Sequence, residues 1–278
     1  MSASTPGNPP MHKSGNHTAR PGIELAWLAD GPDGRDDGPA GLFWLGGFMS
    51  DMTGSKAEVL AGLALDRKCN CFRFDYSGHG ASGGTFRDGT ISKWLDEALQ
   101  MFSQHAAGPR IIIGSSMGGW LALLLARHLH LHDQAAAARI AGMVLIAPAA
   151  DMTEDLMWTG YDAATRRTIE QQGYLEEPSI YGPDPYIITR ELIEDGRQHL
   201  MLSDGLDVPF PVRILQGEDD PDVPWQHALK LYQTLRGPDV TFSLIKAGDH
   251  RLSTERDLAS LRETCADLCR RADARIRS

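Results

Sequence analysis

From Gly41 onward, short continuous apolar runs alternate with longer stretches whose apolar residues recur at helical spacing. GLFWL, CFRFDY, RIIIG, GMVLIAP, VRILQG and TFSLIKAG read as strands. The three isoleucines of RIIIG leave no polar face, the pattern of a parallel strand buried on both sides. Ser55–Asp66, Ile91–His105, Trp120–His132, Trp225–Leu235 and a last stretch from Thr254 read as helices. Alternation of this kind predicts an α/β fold: a mostly parallel central sheet with helices on both faces.

Two segments break the rhythm. Residues 1–22 are rich in Pro, Gly, Ser and Asn and lack apolar periodicity, so a disordered N-terminal tail is expected. They have no secretory h-region; the lack of acids only faintly resembles a transit peptide. Residues 151–207 show no convincing strand, and helical stretches are expected near 162–172 and 186–200. Because open α/β sheets bind ligands at the carboxyl ends of their strands, this insertion is expected to be a helical lid over that edge. The resulting division is a core of 23–150 and 208–278 with a lid of 151–207.

Charge sharpens that picture. The chain has 278 residues and a formal net charge of −10. The 151–207 segment holds 13 acids against four arginines and no lysine, so most of the imbalance lies there. Such a balance argues against nucleic acid or an anionic membrane as partner, and no apolar run is long enough to span a bilayer. A lid so charged is expected to disfavour polyanionic substrates such as acyl-CoA relative to neutral esters or acylated thiols. Cys69, Cys71, Cys265 and Cys269 are too few and too irregularly spaced for a secreted disulfide framework. They are expected to be reduced packing thiols in a cytoplasmic protein.

The candidate chemistry centres on Gly114-Ser115-Ser116-Met117-Gly118, which fits G-x-S-x-G between a strand and a helix. The sharp turn strains the nucleophile's backbone and needs small residues two before and two after it. Gly114 and Gly118 stand there for Ser116, whereas Ser115 would have Ile113 and Met117. Ser116 is therefore the expected nucleophile. A serine hydroxyl needs a base to take its proton, and on this strand–turn–helix plan the acid and then the histidine follow in the chain. His250, after the last strand, is the expected base. The loop GEDDPDVPW offers the acid: Asp220 from its place between Gly217 and Pro224, with Asp219 the alternative. Backbone N–H groups of Met117, at the helix start, and Phe48, after the Gly46-Gly47 strand exit, are expected to form an oxyanion hole.

Two other patterns compete. Gly78-His79-Gly80-Ala81-Ser82-Gly83 matches G-x-G-x-x-G but does not open a helix directly, so a dinucleotide site is rejected in favour of a mobile glycine loop beside the active site. His128 and His132 stand at i, i+4 without an accompanying carboxylate motif, and a solvated helix end is expected rather than a metal pair. No cofactor or metal is expected.

The blocks GGFMSDMTGSKA, FRFDYSGHGASGG, GSSMGGW, GEDDPDVPW and GDHR carry a resemblance. The chain is similar to α/β-hydrolase-fold serine hydrolases, and most to the branch containing a mitochondrial palmitoyl-protein thioesterase that also hydrolyses acyl glucuronides. The resemblance implies a triad of Ser116, Asp220 and His250, oxyanion donors at Phe48 and Met117, and a possible mitochondrial location. Where many relatives carry His before the acid-loop glycine, this chain has Gln216. The expected function is ester or thioester hydrolysis through an acyl-enzyme on Ser116, acting on a small-molecule ester, an acyl thioester or an acylated protein. A serine peptidase or an acyltransferase would share the fold and triad; a non-catalytic binding protein is the reading from another class.

Overall fold

The computed structural model describes residues 12–178 and 185–276. Its main sheet is built from β1 (His12–Arg20), β2 (Ile23–Asp30), β3 (Gly41–Leu45), β4 (Cys71–Phe74), β5 (Arg110–Ser115), β6 (Ile140–Ile146), and two later strands, β10 (Val212–Gly217) and β12 (Val240–Ile245). Their spatial order is β1-β2-β4-β3-β5-β6-β10-β12. The pairs from β4 to β12 are parallel, and β2 joins β4 antiparallel.

Side chains alternate between two cores. Phe43, Leu45, Ile112, Met143 and Leu145 face one cluster with residues of α2 (Ile91–His105) and α3 (Met117–His132). Leu42, Trp44, Ile111, Ile113 and Val144 face the other, with α1 (Ser55–Arg67) and α8 (Glu255–Ile276). Both strand faces are therefore buried, which is why these strands read as unbroken apolar runs instead of alternating ones. The short α4 (Gln134–Ala137) follows α3, and α7 (Trp225–Thr234) lies between β10 and β12. All four cysteines are buried and unbridged, packed in the second core.

The N-terminal expectation needs correction. Residues 12–20 of the expected tail form edge strand β1, paired antiparallel with β2; residues 1–11 lie outside the described residues. Backbone pairing decides this strand, because HKSGNHTAR has no apolar face to announce it. Glu97, fully buried on α2, anchors its end by an ion pair with Arg20.

The 151–207 segment also differs from expectation. After the π- and 3-10 turns of 153–160 and helix α5 (Ala163–Gln172), it contains a hairpin, β7 (Tyr174–Glu177) against β8 (Tyr186–Thr189). The helix expected from 186 starts only at Arg190, as α6 (Arg190–Gly196), with Thr189 capping its first turn. Asp151 closes the segment at its base: its buried carboxylate accepts from the Met201 and Leu202 N–H groups. A two-residue strand β9 (Leu206–Asp207) then pairs with β11 (Leu235–Arg236).

Candidate active site

The loops that leave β3, β5, β10 and β12 meet at the carboxyl edge of the sheet, where ligands of open α/β sheets bind. Each brings one of the expected groups. Ser116 follows β5 with φ 54° and ψ −119°, a conformation that L-residues avoid. Three contacts hold it: its N–H donates to Ile146 O at 2.8 Å, and its carbonyl accepts from Gly119 and Ala149 N–H. A Cβ on Gly114 would lie 2.3 Å from Gly118 O, and one on Gly118 would lie 2.1 Å from Leu45 O. The two glycines of the motif are thus required by backbone packed against backbone. Ser115, by contrast, ends β5 in register with Ile146 and is buried.

Ser116 Oγ stands 3.1 Å from His250 Nε2. The other ring nitrogen, Nδ1, stands 2.9 Å from Asp220 Oδ2 and 3.1 Å from Oδ1. Asp220 is buried and its carboxylate also accepts from the Asp222 and Val223 N–H groups, both at 2.9 Å, and from Gln216 Nε2 at 3.0 Å. An acceptor-only carboxylate so surrounded is held in one orientation and requires Nδ1 to carry the ring proton, leaving Nε2 to face the serine. Asp219 is exposed, and Asp249 instead accepts from Leu252 N–H to close a turn. The structure therefore brings Ser116, Asp220 and His250 together and leaves the two neighbouring acids outside the chain of hydrogen bonds.

The Met117 helix start and the Gly47–Phe48 turn, expected to carry the oxyanion donors, both adjoin Ser116. Met117 is the first residue of α3, where helix geometry leaves N–H groups without an intrahelical acceptor. Phe48 follows Gly47, whose added Cβ would lie 3.4 Å from Ser116 Cβ, so this turn packs on the nucleophile. The Phe48 ring is set edge-on against Phe86 and Trp94.

A cavity of about 650 Å³ opens over Ser116 and His250. Met152, Leu156, Met157 and Ile188 of the inserted segment form an apolar wall. Lys56 and Arg251, with Asp51, Asp222 and Glu177, line it elsewhere. Burial, and next the Arg251 charge, pull the Lys56 ammonium down to about 8. Asp220, Asp222 and His250 present ligand atoms within 4.8 Å of one another. A cation bound there would compete with the hydrogen bonds that already orient Asp220 and His250.

The G-x-G-x-x-G loop differs from expectation. It is pinned, not mobile: Asp75 accepts from Ala81 N–H, Ser82 Oγ donates to the Asp75 carbonyl, and Gly83 N–H donates to Glu24 O. His79 within it is buried and touches the Phe48 turn, a contact the sequence reading missed. The flanking glycines mark close packing here, which in sequence looks the same as conformational freedom.

Comparison with known proteins identifies the family. Residues 34–262 fit the model of the alpha/beta hydrolase family. The chain is 34% identical to mitochondrial palmitoyl-protein thioesterase ABHD10 of Mus musculus over 232 residues, covering 82% of this chain and 74% of that protein. The Homo sapiens counterpart is 32% identical over 237 residues, with 82% and 72% covered. A protein of known structure from Agrobacterium vitis S4 is 42% identical, with a TM-score of 0.87 over 94% of this chain and 100% of the other. Mouse alpha/beta hydrolase domain-containing protein 10 is 30% identical, with a TM-score of 0.81 over 93% and 99%. The chain belongs to the alpha/beta hydrolase family.

Proposed function

We propose that this protein hydrolyses carboxylic esters or thioesters through an acyl-enzyme on Ser116. The observation that carries the reading is the unbroken chain from Ser116 Oγ through His250 to the buried Asp220 carboxylate, set at the mouth of a part-apolar cavity. Ser116 Oγ attacks the acyl carbonyl carbon as His250 Nε2 takes its proton. The carbonyl oxygen becomes an oxyanion held by the Phe48 and Met117 N–H groups. Asp220 stabilises the imidazolium and keeps its tautomer. Collapse breaks the bond to the leaving alkoxide or thiolate, which His250 protonates. Water then attacks the acyl-enzyme, giving its proton to His250, and the acid departs with Ser116 restored.

The substrate class follows from the walls and from the relatives. Relatives named palmitoyl-protein thioesterase point to an acyl thioester, on a small molecule or a protein. The 151–207 segment acts as a lid, its Met152, Leu156, Met157 and Ile188 side chains receiving the acyl chain. Unbridged cysteines suit a reducing compartment, either the cytoplasm or the mitochondrion named for the relatives. No described helix is long and apolar enough to cross a membrane.

Fluorophosphonate labelling followed by peptide mass spectrometry tests the site. One adduct on Ser116, lost in His250→Ala, is expected. An adduct on Ser115 would move the nucleophile, and a protein that stays unlabelled while turning over no ester would favour the binding-protein reading.

A further inference from the structure

The Gly78-His79-Gly80 triplet takes no part in the proposed proton transfers, yet it is built to close tolerances. Gly78 and Gly80 have φ of +74° and +45°. An added Cβ would lie 2.5 Å from the Phe86 backbone at Gly78, and 2.1 Å from Asp75 Oδ2 at Gly80. Between them the His79 ring is 3% exposed and packs against Tyr76, Phe86 and Trp94. Its Nδ1 is 3.2 Å from Ser77 O, which can only accept, so Nδ1 carries the proton and Nε2 is an acceptor. That acceptor receives the Met49 N–H at 3.2 Å. Beside it, Asp75 Oδ1 accepts the Met52 N–H at 2.7 Å and Oδ2 the Ala81 N–H at 2.8 Å. Two acceptors on one pinned loop thus hold two N–H groups of the segment that carries Phe48.

That segment is one that needs holding. Ser50 N–H and Oγ both donate to Gly47 O, closing a reverse turn over residues 47–50. Met49, the third residue of the turn, has φ +54°. A turn with positive φ at this position ordinarily uses glycine there. Methionine leaves the turn strained, and the Met49 N–H bond to His79 fixes which way the Phe48–Met49 peptide plane faces. The Phe48 N–H belongs to the adjoining peptide of the same turn.

We propose that His79, backed by Asp75, is a positioning residue for the oxyanion hole: it holds the 47–50 turn so that the Phe48 N–H points at the tetrahedral intermediate. The proposal rests on the reading of Ser116 and Phe48 given above. Burial lowers the His79 pKa to about 4, so the ring stays a neutral acceptor through the neutral range.

The test compares His79→Leu, which lacks an acceptor, with His79→Gln, whose carbonyl reaches the same place. Turnover of a neutral p-nitrophenyl ester and inhibition by an alkyl trifluoromethyl ketone, which adds to serine as a tetrahedral oxyanion, are measured for each. Complete loss of an oxyanion donor lowers kcat by roughly 100–1000-fold; a misaimed donor should lose less. His79→Leu is therefore expected to lose about 10–100-fold in kcat and in ketone affinity, with KM within about twofold. His79→Gln should recover most of both. In a Met49→Gly background, where positive φ is unstrained, the loss from His79→Leu should shrink. Should His79→Leu fail to fold, His79→Asn, too short to reach Met49, takes its place with the same expectation. Unchanged kcat in the acceptor-lacking variant would overturn the proposal, as would equal losses in the Leu (or Asn) and Gln variants. Ser116→Ala separates the two readings: if it still turns over the ester, the triad reading fails, whereas an inactive Ser116→Ala beside a fully active His79→Leu sinks the brace alone.

Discussion

At the scale of single residues, the site turns on which atoms point at which. Asp219 and Asp220 are indistinguishable by chemistry, and only loop spacing and the family resemblance favour the second in sequence. The structure separates them by burial: Asp220 accepts from four donor groups while Asp219 faces solvent. His79 illustrates the same dependence through its titration. Burial holds it neutral, with a pKa of about 4 against 6.5 for a free histidine. Above pH 6.5 the ring is neutral in both folded and unfolded chains, and its burial carries no protonation penalty. As pH falls from 6.5 toward 4, the unfolded chain binds a proton that the folded chain refuses, so stability is lost. Between pH 7 and 4.5 the wild type should lose about 2–3 kcal/mol more than His79→Gln, from the 1.36 kcal/mol carried by each pKa unit. Urea denaturation of both proteins at the two pH values measures it. Equal losses would mean that the ring is protonated in the native state. Comparing the two proteins cancels the opposing contributions of Asp75 and Glu97, whose pKa values burial raises.

At the scale of elements, the interior strands and the helices that cover them were legible, and the periphery was not. The Ile91–His105 helix and the RIIIG, VRILQG and GLFWL strands stand where periodicity put them, because burial on fixed faces forces a pattern into the residues themselves. Edge strand β1 has a polar sequence and is held by its ladder to β2 and by Arg20. Glu97 keeps one backbone donor, Ser77 N–H, if Arg20 is removed, and its carboxylate is fully buried. Arg20→Ala should therefore cost about 2–3 kcal/mol, less than the loss of a wholly buried pair because Arg20 is itself partly exposed. The thermal midpoint should drop by roughly 5–10 °C for a chain of this size. A midpoint within about 1 °C of wild type would show that β1 adds little to the fold. The β7–β8 hairpin was hidden for a different reason. Its Tyr186–Thr189 strand runs straight into a capped helix, so one apolar run serves two geometries.

For the whole molecule, the question is how far charge at the entrance governs the choice of substrate. Several acids of the 151–207 segment are ion-paired: Glu154 with Arg197 within it, and Asp155, Glu191 and Asp207 with Lys230, Lys93 and Arg236 outside it. Lys56 and Arg251 add positive charge inside the cavity. The remaining negative field acts over longer distance, where salt screens it within about 8–10 Å at physiological ionic strength. The kcat/KM for a polyanionic acyl-CoA is therefore expected to rise with added salt relative to a neutral thioester of equal chain length. Rates measured at low and high salt check this. A relative fall for acyl-CoA would mean that the cavity cations, not the acids of residues 151–207, meet the leaving group.

The sequence by itself determined the parallel α/β core, the register of the serine motif and the order of its three candidate groups. Each of these is written in local terms: apolar period, glycine spacing, and position after a strand. Tertiary structure alone decided which carboxylate meets His250, that residues 12–20 join the sheet, and that the Gly78-His79-Gly80 loop is a rigid neighbour of Phe48. Those outcomes depend on hydrogen bonds and contacts between segments far apart in the chain, for which a local pattern leaves no mark. A glycine required by a distant backbone looks, in sequence, the same as one that merely permits a turn.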